Sequence, residues 1–200
     1  MGNLRSVQKA FEKVGSNAVI SNDMSVIQNA SKIVLPGVGS FRDGMKHLKE
    51  LNLIALLNEE VLEKKKPFLG ICLGMQLVAS KSYENGITEG LDWIDSEVVK
   101  FDFKALEKQF KVPHVGWNNA KYKKENILFR DITDSSDFYF VHSYYFKTQE
   151  DVISSITDYG FDFVSSVNKD NIYAFQFHPE KSQGVGLKII ENFVNLENIC

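Results

Sequence analysis

Residues 67–76 read Pro-Phe-Leu-Gly-Ile-Cys-Leu-Gly-Met-Gln, and this stretch constrains the fold more tightly than any other. Pro67 to Ile71 is a short apolar run, the pattern of a strand buried on both faces within a parallel sheet. Leu73 onward reads as a helix, so Cys72 falls on the turn between them, with Gly70 and Gly74 two residues away on either side. The arrangement repeats, with sulfur in place of oxygen, the nucleophile elbow, in which small flanking residues let a strained turn hold a nucleophile clear of the backbone. The start of the helix adds a partial positive charge that favours thiolate over thiol. Taken alone, a cysteine between glycines also fits a small core residue, so the rest of the chain must separate the two readings.

Around this stretch the first half alternates strands and helices. Leu4, Val7, Phe11 and Val14 stand at helical spacing, with Asn3 as N-cap and Gly15 as stop. Asn17 to Ile20 reads as a strand, Asp23 to Ala30 as a short helix and Lys32 to Leu35 as a buried strand. Pro36-Gly-Val-Gly-Ser40 is a tight glycine-rich loop, followed by helical patterns from Phe41 to about Lys65 with a break near Asn52. This alternation predicts a parallel α/β sheet with right-handed crossovers. After Lys81 the texture changes to strands: Trp93–Phe103, Val112–Tyr122, Phe138–Lys147, Val152–Asp158, Phe161–Val167 and Ile172–Phe177, the last two joined by a hairpin turn at Lys169-Asp170-Asn171. The second half is therefore mainly antiparallel. A closing helix from Gly184 to about Leu196 puts Leu187, Ile190, Phe193 and Val194 on one face. No repeat, low-complexity tract or linker interrupts residues 1–200, which predicts a single domain.

Composition excludes several classes of function. A chain of 200 residues with 44% hydrophobic and 24% charged residues is neither disordered nor fibrous. The formal net charge of -3 gives no general pull toward nucleic acid or an anionic membrane. No apolar run approaches the ~20 residues of a transmembrane helix, and the amino terminus lacks a signal-peptide pattern, so a cytoplasmic enzyme is expected. The two cysteines, Cys72 and Cys200, form no disulfide framework. His47, His114, His142 and His178 lack HExxH or CxxC spacing, which gives a metal site little support.

The second chemical stretch is Phe175-Gln-Phe-His178-Pro-Glu180-Lys-Ser182, at the end of a strand and just before a helix. A thiol nucleophile needs a base, and the base needs an orienter. His178 can take the proton from Cys72, while Glu180 holds the other imidazole nitrogen in the required tautomer. Pro179 between them stiffens the pair by fixing its own φ.

Gly70-Ile-Cys72-Leu-Gly74-Met-Gln76 together with His178-Pro-Glu180 resembles the class I (triad) glutamine amidotransferases, whose Cys, His and Glu hydrolyse glutamine to glutamate and ammonia. Met1-Gly-Asn-Leu-Arg-Ser-Val, Pro36-Gly-Val-Gly39, Pro113-His-Val-Gly-Trp117-Asn and Tyr139-Phe-Val-His-Ser-Tyr-Tyr145 narrow the resemblance to the glutaminase subunits of imidazole glycerol phosphate synthases, over nearly the whole chain. The resemblance implies a flavodoxin-like α/β fold: a mixed sheet with helices on both faces, a mostly parallel centre and antiparallel strands in the C-terminal half. It implies Cys72 as nucleophile, His178 as acid and base, and Glu180 as its orienter. Backbone amides of Val38 and Leu73 would form the oxyanion hole, and Gly39, Gln76, Ser143 and Tyr144 would hold the substrate glutamine. No metal or cofactor is implied.

The same resemblance implies a heterodimer with a (βα)₈-barrel cyclase that uses the ammonia to form imidazole glycerol phosphate and aminoimidazole carboxamide ribotide. Asn3, Trp117, Asn118 and Lys181 match segments near the docking face. Two alternatives share the residues: a paralogous glutaminase feeding a synthase that amidates a sugar or surface polysaccharide, and a silent scaffold subunit, against which the intact triad argues. Family members ordinarily open with an apolar strand ahead of the Gly2-Asn3 turn, and here that first strand is missing. A strand of ~6 residues with three or four buried apolar side chains represents on the order of 5–10 kcal/mol. The expectation is a natural start several residues upstream of Met1.

Overall fold

The structure, a computed structural model, describes residues 3–107 and 110–196; the readings that involve Met1, Gly2 and Cys200 lie outside the described residues. The chain runs through α1 (Leu4–Lys13), α2 (Met24–Asn29), β1 (Ile33–Gly37), α3 (Phe41–Glu50), α4 (Leu53–Asn58), β2 (Phe68–Cys72), α5 (Leu73–Leu77), β3 (Ala79–Ser82), β4 (Thr88–Glu89) and β5 (Ile94–Lys100). It continues through β6 (His114–Asn119), β7 (Lys121–Tyr122), β8 (Asp137–His142), β9 (Tyr144–Thr148), β10 (Ile153–Asp158), β11 (Asp162–Lys169), β12 (Ile172–Phe175), a 3₁₀ turn at Pro179–Lys181 and α6 (Gln183–Val194).

Local chemistry sets these boundaries. Val7, Ala10 and Phe11 form the buried stripe of α1. Asp23 caps α2 by accepting the Ser25 amide at 2.7 Å, and Ser40 caps α3 through the Asp43 amide at 3.1 Å. Asn52, at φ 54°, breaks the path between α3 and α4 where the sequence predicts the break.

Among the described residues ten strands form one sheet, whose main path is β1-β2-β12-β11-β9-β5-β3-β4; β6 and β8 form a separate two-stranded ribbon. β2 lies between β1 and β12 and is parallel to both, while β12, β11, β9 and β5 pair antiparallel in turn. Side chains along β2 and β12 alternate between two apolar layers. Phe68, Ile172 and Ala174 enter the layer shared with α3 and α4; Leu69, Ile71, Tyr173 and Phe175 enter the one shared with α1 and α6. Helices thus cover both faces, and Phe11 of α1 meets Phe193 of α6 edge-on at 6.3 Å.

Several elements differ from the sequence reading. The single strand read over 112–122 is two strands, β6 in the ribbon and β7 pairing with β10 in the main sheet. Residues 17–20 form no strand: Val19 is 67% exposed, and the segment is tied to α1 by the Gln8 side chain, which donates to the Ala18 carbonyl at 2.8 Å. A strand needs a paired neighbour, and among the described residues β1 pairs only with β2, so residues 17–20 have none. The helix after Cys72 ends at Leu77, because Ala79–Ser82 leaves to pair in parallel with β5. The single strand read over 138–147 is two strands separated by a bend at Ser143, with β8 in the ribbon and β9 in the main sheet.

Candidate active site

The elbow is strained at the nucleophile. Cys72 adopts φ 55°, ψ −105°, a conformation that costs a non-glycine residue about 1–3 kcal/mol and persists only where its surroundings enforce it. The flanking glycines are what let those surroundings close in. A Cβ on Gly74 would stand 1.7 Å from the Leu35 carbonyl oxygen of β1, and one on Gly70 would stand 2.8 Å from the Gly74 oxygen. Strand and helix therefore approach backbone to backbone on both sides of the thiol.

The sheet register gathers the remaining parts at one end of the parallel strands, the end where open α/β sheets bind ligands. Gly37 pairs with Cys72, so Val38 and Gly39 leave β1 beside the first turn of α5; Phe175 pairs with Ile71, so His178 follows at the same end. The His178 backbone is clamped twice, its amide donating to the Tyr139 carbonyl at 2.9 Å and its carbonyl accepting from the Ser182 hydroxyl at 2.6 Å.

His178 Nδ1 lies 2.8 Å from Glu180 Oε1, and the two side chains are 2% and 0% exposed. A carboxylate only accepts, so Nδ1 carries the proton and Nε2 is left with its lone pair. Nε2 is buried without a formed hydrogen bond. Cys72 nevertheless acts on the ring by proximity and charge. Burial opposes the imidazolium, but Cys72 and then Glu180 outweigh it and raise the His178 pKa to about 9. The Cys72 sulfur itself is buried, 3.7 Å from Gln176 Nε2 and 3.9 Å from the Val141 carbonyl. The Asn3 side chain, read from sequence as an N-cap, caps nothing in α1 and donates to Glu180 Oε1 instead.

The other sequence-predicted residues fall into two groups. Val38 is exposed, Gly39 takes φ 106°, and Leu73 is buried at the start of α5. Gln76 is buried and uses both amide N–H groups, on the Tyr144 carbonyl and on Gln176 Oε1, each at 3.0 Å. Ser143 and Tyr144 form the bend beside it; Tyr145 turns into the aromatic core, 5.0 Å from Phe101. Away from the sulfur, Trp117 is 49% exposed and meets Tyr139 edge-on at 6.1 Å, while Lys181 Nζ stands 5.5 Å over the same Tyr139 ring. Trp117 and Lys181 thus share a surface patch, whereas the Asn118 side chain donates to the Asp158 carbonyl at 2.9 Å.

The sequence reading missed Glu84. Its carboxylate accepts the Phe41 amide at 2.7 Å and so pins the start of α3 behind the Val38–Ser40 loop, Pro36 and Gly37 of the glycine-rich stretch being the end of β1. No motif surrounds it, and its partner lies 43 residues away, so no local signal announces it. Among the described residues, no group of three or more His, Cys, Asp or Glu side chains is placed to hold a metal, and no helix is long and apolar enough to cross a membrane.

A strained Cys elbow, a buried His–Glu pair and this sheet define a glutamine amidotransferase of class I, and the family model described as glutamine amidotransferase class-I matches residues 2–196. Imidazole glycerol phosphate synthase subunit HisH 1 of Campylobacter jejuni subsp. jejuni serotype O:23/36 (strain 81-176) is 52% identical over 195 residues, covering 98% of this chain and 96% of the relative. Imidazole glycerol phosphate synthase subunit HisH of Aquifex aeolicus (strain VF5) is 51% identical, covering 96% and 91%. The chain belongs to the HisH subunits within the class I glutamine amidotransferase family. Solved structures agree on the fold: a glutamine amidotransferase crystal structure superposes with a TM-score of 0.72 at 17% identity, covering 96% of this chain and 95% of that one. The glutaminase domain of Trypanosoma brucei CTPS with bound acivicin gives 0.63 at 17% identity, covering 96% and 88%.

Proposed function

We propose that this chain is the glutaminase subunit of an imidazole glycerol phosphate synthase and that Cys72, His178 and Glu180 perform its chemistry. The observation that carries the reading is the 2.8 Å Nδ1–Oε1 bond of His178 and Glu180, which leaves Nε2 for the elbow thiol. Cys72 Sγ attacks the side-chain amide carbon of glutamine. The oxyanion is taken by the Val38 and Leu73 amides, where one donor is worth ~10²–10³ in rate. His178 then protonates the amide nitrogen, the C–N bond breaks, and ammonia leaves behind a glutamyl thioester. Water activated by the same imidazole cleaves the thioester to glutamate and restores the thiol.

Gly39, Gln76, Ser143 and Tyr144 hold the substrate. Because both Gln76 N–H groups are already engaged, its part is to fix the Tyr144 backbone rather than to donate through Nε2. The partner is a (βα)₈-barrel cyclase, docked over the patch of Trp117 and Lys181 with Asn3 and Asn118 behind it, which consumes the ammonia before bulk water protonates it. Residues 1–200 act as one amidotransferase domain, a reading supported by the main sheet, which draws strands from both halves of the chain. A reducing, cytoplasmic setting suits a mechanism that needs a free thiol.

The test is glutamate release by the chain co-purified with candidate synthases, with and without synthase ligand. Stimulation by the histidine-pathway cyclase and its ligand supports the proposal. Stimulation only by a sugar-amidating synthase would assign the chain to the paralogous function.

A further inference from the structure

Two buried histidines outside the triad lie on one continuous chain of hydrogen bonds that ends at the nucleophile. Asn118 Nδ2 stands 3.3 Å from His114 Nε2, His114 Nδ1 stands 3.0 Å from His142 Nε2, and His142 Nδ1 stands 2.8 Å from the Tyr144 carbonyl. That carbonyl also accepts from Gln76, which bonds Gln176, whose amide nitrogen is 3.7 Å from Cys72 Sγ.

The directions of these bonds follow from their end point. A carbonyl only accepts, so His142 Nδ1 carries the proton and its Nε2 is the acceptor. His114 Nδ1 must then be the donor to it, and His114 Nε2 the acceptor for Asn118. Each ring is neutral, with one donor and one acceptor, and all four nitrogens are matched. The surroundings favour that state. His114 stacks on Tyr159 at 4.0 Å and His142 lies 5.1 Å from Phe163. Burial lowers the His114 pKa to about 4; burial, reinforced by His114 and His178 and opposed by the Tyr144 carbonyl, lowers that of His142 to about 3. A buried polar pair is costly unless fully satisfied, and when satisfied it fixes position more sharply than apolar packing does.

We infer that His114 and His142 are positioning residues for glutamine: their one-way relay sets the Tyr144 carbonyl, and with it Gln76 and the Ser143–Tyr144 bend, at a defined place relative to Cys72. The inference rests on the glutaminase reading above. The relay begins on β6, the strand that carries Trp117, and crosses to β8 through the paired positions His114 and His142.

Two measurements test it. Imidazole ¹⁵N spectra of the full chain at neutral pH are expected to show Nδ1–H tautomers at both residues; an Nε2–H tautomer at His142 would overturn the relay whatever the enzyme does. In the complex with its synthase, His114→Phe keeps a ring between Tyr159 and Phe140 but removes the donor. It is expected to raise KM for glutamine about tenfold, the scale of a lost buried hydrogen bond, with kcat within about threefold and Cys72 still fully titratable by iodoacetamide. His114→Asn, which returns an N–H near the old Nδ1 position, is expected to recover most of the loss. An unchanged KM, or a defect that only follows the fraction of titratable Cys72, contradicts the inference. A wild-type complex that releases no glutamate removes the reading on which the inference rests, and the tautomers distinguish that failure from a wrong relay.

Discussion

His178 and Glu180 are two residues apart, and their one hydrogen bond decides which imidazole nitrogen meets the thiol. The imidazolium is favoured in the folded protein because its pKa is raised from 6.5 to about 9. Its contribution to stability is therefore fully present below the unfolded value and is lost as pH rises through about 9. The same loss removes the proton destined for the leaving ammonia, so kcat/KM for glutamine is expected to fall along an alkaline limb near pH 9. Glu180→Gln takes away one of the charges that raise the pKa. It is expected to move that limb to lower pH and to lower the rate ~10²-fold or more; a pH profile with an unmoved limb counts against the role given to Glu180. This pair, like the Gly70-Cys72-Gly74 elbow, was legible because its geometry is local in sequence. Glu84 and the His114–His142 pair were not, since their partners lie 43 and 28 residues away, and neither was the Asn3–Glu180 contact across 177 residues.

At the level of elements, the approach of α5 to β1 is what builds the elbow. Gly74→Ala would place a methyl group 1.7 Å from a backbone oxygen, where no side chain can yield, so strand and helix must separate. Overpacking of this kind costs about 1–3 kcal/mol or more, a drop in Tm of roughly 2–12 °C for a chain of this size. Calorimetry of Gly74→Ala beside the parent checks it, and an unchanged Tm would show that the contact is not enforced. Helices were readable almost to their ends, as α2 and the start of α3 show. Strand boundaries were less so, because pairing decides them. Residues 17–20 have strand composition but no partner among the described residues, and the bend at Ser143 answers to a change of sheet that alternation of side chains does not record.

Across the whole molecule, one sheet brings distant segments to a single site. Cys72 ends β2, Val38 follows Gly37, the β1 residue paired with Cys72, and His178 follows β12 on the other side of β2. The α/β class and its two-layered core follow from the buried run at 67–71 and the alternation around it; the placement of Trp117 and Lys181 around Tyr139 needed the folded chain. In the proposed reaction glutamine passes through a covalent state on Cys72. Rapid acid quench of the synthase complex turning over glutamine, followed by peptide mass spectrometry, tests it directly. A glutamyl adduct is expected on the peptide that contains Cys72, and neither adduct nor glutamate release in Cys72→Ala. Glutamate release that survives in Cys72→Ala would contradict it.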